Sequence, residues 1–296
     1  MTVTVPHEFG GGATAERLWL DAATLPLGNC LIGATSADGG VGRSTLIAAL
    51  GGVLALAAPG PVLAVDASGR SWSGLTERTG PGDGTLWDAL QAQQSGTLSA
   101  GFAGVVPSTR RGPSGLYALT AEPQRTAARR PPVFTETIQV ISALGPHTSA
   151  VLAELPVADV RGVWQYLSIV PSPLLVARAS VDGVRHALHL LSQLRAGGLG
   201  VVADRTVLAV VAGVPKPSRD VHAACHQAAD QVATLVPVPW DAHLARPEPV
   251  DVRRCRRITR RALVDLAAAC LAPIVRRQHL AAATAASGTS GLPTTP

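Results

Sequence analysis

The segment Thr35-Ser-Ala-Asp-Gly-Gly-Val-Gly-Arg-Ser-Thr45 lies between a short apolar run, Cys30-Leu-Ile-Gly-Ala34, and a long apolar one that opens at Ser44. An apolar run of strand length, a glycine-rich turn and a helix form the context in which a turn can hold an anion. Glycines at 39, 40 and 42 let backbone N–H groups face inward and approach a bound group closely, and the following helix offers its positive end to the same place. Ser44 adds a hydroxyl where a Mg²⁺ ligand would stand. The alternative is a glycine-rich strand-to-helix turn that holds nothing.

The rest of the chain repeats the alternation. Val62–Val65, Ala150–Ala153, Leu174–Ala177 and Thr206–Val211 are short runs that are apolar throughout, with a helical pattern over about 181–195 between the last two. Strands without polar alternation are buried on both faces, so the sequence predicts an α/β fold: a doubly wound, mostly parallel sheet with helices on both faces. Aromatic residues are only 3% of the chain against 47% apolar, so the core must be built from Ala, Val and Leu. The run 46–65 is apolar enough for a membrane span, but Gly51, Gly52, Pro59, Gly60 and Pro61 interrupt it, and it reads as helix, turn and buried strand. Residues 1–27 read as a flexible N-terminal arm that ends in a segment lying on the domain surface, residues 28–280 as the folded domain, and residues 281–296 as a disordered C-terminal tail. The stretch 69–132 scatters Gly, Pro, Ser and Arg among short apolar pieces and reads as long, partly irregular loops.

These pieces resemble, in order, the ParA/MinD family of P-loop ATPases, over roughly residues 28 to 275. The family's loop reads KGGVGK followed by Ser or Thr, against DGGVGRS here. Val62-Leu-Ala-Val-Asp66 is similar to its second strand, Val151-Leu-Ala-Glu154-Leu-Pro156 to the strand ending in Asp-x-Pro, Pro237-Val-Pro-Trp-Asp241 to the loop beside the base, and Arg260–Ala267 to its last helix. The resemblance implies ATP and Mg²⁺ as cofactors. It places the phosphates on Gly39, Gly40, Val41, Gly42, Arg43, Ser44 and Thr45, the metal on Ser44 and Glu154, and an attacking water on Asp66.

The departures fall at the charged positions. Arg43 replaces the loop lysine with a planar fork. Asp38 reverses the charge of the lysine that crosses the family's nucleotide-sandwich dimer, and Arg70 or Arg78 are the cations the sequence offers to compensate it. Glu154 stands for an Asp, and Val211-Ala-Gly213 carries no amide to read adenine. Loss of a transition-state cation costs orders of magnitude in phosphoryl transfer. The expectation is therefore a nucleotide-binding switch or scaffold that holds ATP weakly with slow or absent hydrolysis, and the resemblance implies a homodimer. Two alternatives stay open: a nucleotide-free pseudo-ATPase acting as an interaction module in a secretion, division or partition apparatus, and an active ATPase with a rearranged site.

Partners are a further expectation. Positive charge exceeds negative by 5, almost all of it arginine, since Lys216 is the single lysine. Arg253, Arg254, Arg256, Arg257, Arg260 and Arg261 would cover half of a helix if the segment were continuously helical, which would suit DNA, against the alternative of a solvated helix start paired with Asp251 and Asp265. The helix over 263–275 compares with MinD's membrane anchor, but its Ala-rich run and Pro273 favour a core helix over membrane attachment. His222, Cys225 and His226 share a helix face at metal-ligand spacing without an evident fourth ligand, and His186 and His189 make a weaker pair. Cys30, Cys225, Cys255 and Cys270 show no CxxC pairing, and no signal peptide opens the chain, so a reduced, cytoplasmic setting is expected.

Overall fold

A computed structural model describes residues 4–10, 12–28, 30–70, 73–120, 130, 132–157 and 161–288. The helices are α1 (Ala13–Thr24), α2 (Arg43–Ala57), α3 (Gly74–Arg78), α4 (Leu86–Gln94), α5 (Phe134–Leu144), α6 (Arg161–Ile169), α7 (Val181–Ala196), α8 (Gly200–Arg205), α9 (Arg219–Ala229) and α10 (Arg257–Gly288). The strands are β1 (Leu31–Thr35), β2 (Val62–Asp66), β3 (Arg110–Arg111), β4 (Tyr117–Leu119), β5 (Ala150–Glu154), β6 (Ser172–Arg178), β7 (Val207–Val211) and β8 (Thr234–Val238).

The strands form one sheet in the order β3-β4-β2-β5-β1-β6-β7-β8, parallel throughout except for the antiparallel β3–β4 edge. Successive strand residues point to opposite faces. Val62 and Ala64 of β2 join Ile32, Leu174 and Ala209 under α1, α2 and α10. Leu63 and Val65 join Val151 and Ala153 under α4, α5 and α6. Leu175, Ala177, Leu208 and Val210 lie under α7, α8 and α9. Both faces are therefore covered, and that is why the runs carry no polar alternation.

The strand order reverses at β1, whose successors β2 and β5 lie on one side and β6 to β8 on the other. The crevice outside the carboxyl ends of the strands at such a point is where doubly wound sheets hold ligands. The turn over 36–42 and the end of β6 both open there.

Three sequence expectations need correction. Residues 13–24, expected within a flexible arm, form α1, because Leu18 and Trp19 are buried and the helix packs on α10. Helix α10 runs on through Gly288, so the expected tail begins inside a helix, and residues 289–296 lie outside the described residues. The stretch 69–132, expected as irregular loops, holds α3, α4, β3 and β4, with α4 started by a capping box between Thr85 and Asp88; residues 71, 72, 121–129 and 131 lie outside the described residues. Run 46–65 divides into the end of α2, a turn and β2 as expected. Among the described residues no helix is long and apolar enough to cross a membrane. Helix α10 buries Leu263, Leu266, Ala267, Cys270, Leu271 and Ile274, which makes it a core helix despite Pro273.

Candidate functional site

The turn after β1 places two of its glycines in a backbone conformation that anion-binding loops also use. Gly40 and Gly42 have φ of 66° and 87°, in the left-handed region that a side chain resists, and Gly42 caps α2. Beside the loop lies a cavity of about 460 Å³ lined by Gly40, Gly42, Thr45, Arg78, Arg178 and Trp240, among others. Its far wall includes Val211, Ala212 and Gly213, so the segment that lacks an amide does border the cavity.

The side chains follow a different plan from the backbone. Arg43 does not face the cavity: it is 7% exposed and turned beneath the loop. Its Nε donates to Glu154 Oε1 at 3.3 Å and its Nη1 to Ser36 Oγ at 2.7 Å. Ser44 Oγ donates to the same Glu154 oxygen at 2.7 Å. The predicted metal pair, Ser44 and Glu154, is thus brought together, with the loop cation attached to it. Gly74, which opens α3, presses on this cluster so closely that a Cβ there would lie 2.4 Å from Ser44 Oγ.

Asp66 stands opposite Glu154 in the β2–β5 register. Its Oδ1 accepts the Ser68 N–H at 2.9 Å, while Asp66 Oδ2 and Glu154 Oε2 are buried without a partner. Burial, and then the neighbouring Asp66 charge, push the Glu154 carboxyl up; the Arg43 charge and the Ser44 and Arg43 hydrogen bonds oppose them without reversing the direction.

Asp38 meets neither Arg70 nor Arg78. Its carboxylate lies 2.9 Å and 3.0 Å from His186 Nδ1 on α7. Arg78 donates to the carbonyls of Leu244 and Arg246. His189 meets Gln193, so the histidine pair does not converge. His222 and Cys225 border an apolar cavity of about 360 Å³, and among the described residues no group of three or more His, Cys, Asp and Glu side chains is placed to hold a metal ion. All four thiols are free.

The arginine cluster is not one half of a continuous helix. Residues 252–254 form a 3-10 turn, the chain breaks direction at Cys255 and Arg256, and α10 starts at Arg257. Arg253 is bound to Asp251 and to the Pro113 carbonyl, Arg254 lies 3.7 Å from Glu248, and Arg260 donates to the carbonyls of Glu8, Arg253 and Cys255. Arg256 lies over the Trp240 ring and gives its N–H to Asp241. These contacts brace a corner of the fold; the expected pairing with Asp251 is present, whereas among the described residues none of these arginines pairs with Asp265. Sequence reasoning missed Ser36, Arg178 and the place of His186 beside Asp38, having read His186 only as half of a histidine pair. The last two carry no motif, and only their place at the end of β6 and in the following helix brings them to the loop.

No family model matches the chain. Among curated proteins it is 27% identical over 259 residues to EspI, an ESX-1 secretion-associated protein of Mycobacterium tuberculosis. The match takes in 82% of this chain but only 36% of that protein's length. Among solved structures, the cell-division ATPase MinD of Pyrococcus furiosus aligns with 84% of this chain and 99% of its own, at TM-score 0.54 and 18% identity. MinD of Pyrococcus horikoshii, complexed with Mg-ADP, aligns over 80% and 94%, at TM-score 0.53 and 18% identity. A ParA family ATPase of Chlorobium tepidum aligns over 84% and 97%, at TM-score 0.52 and 15% identity. The chain therefore has the ParA/MinD-type P-loop fold.

Proposed function

We propose that this chain is a nucleotide-binding switch or scaffold that holds ATP weakly, hydrolyses it slowly or not at all, and serves a secretion apparatus from the cytoplasm through protein partners. The observation that carries the reading is the split between loop backbone and loop side chains. The glycine turn keeps its anion-binding shape beside a cavity, while Arg43 is committed to Glu154 and Ser36. Phosphates can be received by the backbone N–H groups, but the charge that would follow them into a transition state is turned away.

Mg²⁺ fits the donor set. Ser44 Oγ and the two partnerless carboxylate oxygens, Asp66 Oδ2 and Glu154 Oε2, are the hard oxygen ligands this ion takes. Ser44, Asp66 and Glu154 would hold it, and it would supply positive charge against the phosphate oxygens. Asp66 remains the group able to orient a water, and Arg43 keeps Glu154 engaged on its other oxygen.

The choice of a secretion apparatus over a division or partition one rests on the likeness to EspI, whose description is secretion-associated. A cytoplasmic setting accords with four free thiols. DNA is not favoured, because carboxylates and carbonyls already engage the side chains of Arg253, Arg256 and Arg260.

Calorimetric titration of Mg-ATP, with a phosphate-release assay on the same protein, tests the reading. Saturable weak binding with turnover near background is expected. Turnover that Asp66→Ala abolishes would instead establish an active ATPase with a rearranged site. Absence of binding at millimolar nucleotide would establish the nucleotide-free scaffold, a reading favoured by one observation, the internal pairing of Arg43, Ser44 and Glu154. Light scattering on the same samples reads the nucleotide-driven homodimer that the resemblance implies.

A further inference from the structure

With Arg43 withdrawn and Asp38 in place of the family's first loop lysine, the loop itself presents no cation to its cavity. One is supplied from elsewhere. Arg178, the last residue of β6, reaches the loop with its Nη2 3.1 Å from the Gly40 carbonyl, and it lines the same cavity as Gly40, Gly42 and Thr45.

We propose that Arg178 is the cation that grips the phosphate chain of a bound nucleotide, taking over from β6 the part that Arg43 has left. The proposal rests on the nucleotide-binding reading above and names the residue that makes it work.

Three observations support it. The backbone at Arg178 is fixed from several directions. It pairs with Val211 in the β6–β7 register, its carbonyl accepts the Ser180 N–H, and the next residue, Ala179, donates to Val211. Ser180 in turn caps α7 through the Gly183 N–H. A guanidinium on so rigid a base loses less freedom on gripping a ligand than one on a loop.

The charge is also uncommitted. Among the described residues no carboxylate forms an ion pair with Arg178, and its side chain is exposed. Arg43, by contrast, is tied to Glu154, and Arg78 to two carbonyls. A guanidinium carries five N–H donors, and the Gly40 carbonyl takes one, which leaves a planar fork whose geometry suits phosphate oxygens.

Finally, the position is right for the chemistry. Arg178 stands at the sheet's reversal point and shares a cavity with Gly40 and Gly42, so an anion seated there can meet the loop backbone and the guanidinium together. Asp38, the one loop carboxylate able to repel it, is engaged by His186.

Calorimetry with ATP, inorganic triphosphate and adenosine on wild type, Arg178→Gln and Arg178→Lys tests the proposal, with thermal melts to confirm folding. Gln keeps a donor for the Gly40 carbonyl but removes the charge. Arg178→Gln is expected to weaken ATP and triphosphate by about 10- to 100-fold while adenosine is unaffected. Arg178→Lys should fall between. Wild-type affinity in the Gln variant would make Arg178 a brace for the loop and overturn the proposal while leaving nucleotide binding intact. Wild-type protein that takes neither ATP nor triphosphate at millimolar concentration would overturn the nucleotide reading and this inference together.

Discussion

Replacement of Arg43 by alanine would leave Glu154 and Asp66 facing each other in a buried place with no cation. The Arg43 and Glu154 side chains are each 7% exposed and lie 3.3 Å apart, so water screens the pair little. Removal of one partner from a buried pair costs about 3–5 kcal/mol, most of it the penalty of the stranded charge. Loss of the 2.7 Å bond to Ser36 adds about 1 kcal/mol. A domain near the low end of the usual range of about 5–15 kcal/mol would be brought close to unfolding.

The pH dependence gives the stricter test. The Glu154 carboxyl is already pushed up in the folded protein by burial and by Asp66, and removal of Arg43 takes away the main charge opposing that shift. A folded-state pKa above the unfolded value means that the folded protein holds the proton more tightly. Its contribution is full below the unfolded pKa and lost as pH rises through the folded one. The deficit of Arg43→Ala should therefore be largest near pH 8 and shrink towards about pH 5, as Glu154 takes up a proton. Urea unfolding followed by circular dichroism at the two pH values measures both quantities. Arg43→Ala with Glu154→Gln should recover at least about 1 kcal/mol of the single variant's loss, because the stranded charge is gone. A deficit below about 1 kcal/mol near pH 8, or one that does not change with pH, would refute the argument.

Two other expectations concern the rest of the chain. Burial raises all four thiols, but Cys225 is only half-buried, while Cys255 and Cys270 are pushed up to about 12 and Cys30 further still; a thiol-reactive disulfide reagent should therefore modify native protein at Cys225 alone, and Cys225→Ser should silence the reaction until denaturant is added. Burial raises the Asp241 carboxyl, but the N–H groups of Arg256 at 2.8 Å and His243 at 2.9 Å, with the Arg256 charge, outweigh it and hold the group below the usual carboxylate range. That contribution is present above the unfolded pKa and lost as pH falls through the folded one, so Asp241→Asn should cost about 1–3 kcal/mol near neutrality and less in acid, read from melting temperatures across the range.

The sheet was legible because burial on both faces writes itself into sequence as unbroken apolar runs, and β1, β2, β5, β6 and β7 all carry that mark. The loop was legible because Gly40 and Gly42 need a backbone that other residues resist. Helix α1 was harder to see. Its first residues, Ala and Thr, carry no cap signal, and its apolar face becomes meaningful only once α10, some 240 residues later, packs on it. The arginine cluster misled for a related reason. Helical spacing could be computed from 253 to 261, but the break at Cys255 is set by Asp241, whose carboxylate takes the Arg256 N–H from outside the segment. At the site, residue types foretold that Ser44, Asp66 and Glu154 would converge. They did not foretell where the Arg43 guanidinium would point, because that depends on a competition between phosphate loop and carboxylate that only the packed structure expresses.

Taken singly, Arg for Lys at 43, Glu for Asp at 154 and Asp for Lys at 38 look like the decay of a nucleotide site. In the fold the changes are answered. The longer acid brings Oε1 to both Ser44 and Arg43, the broader cation reaches Glu154 and Ser36 through two different nitrogens, and the reversed charge at Asp38 meets His186 within the same chain. One arginine set against two carboxylates still leaves the buried cluster with an excess of negative charge. That excess adds to burial, the larger cause, in raising the Glu154 carboxyl, and an oxygen on each acid is buried without a partner. A free triphosphate brings more negative charge towards the same place, whereas a proton or a divalent cation relieves it. On the proposed reading, Mg-ATP rather than ATP alone is the form expected at this site, with Arg178 at the mouth offering positive charge apart from the pair beneath the loop.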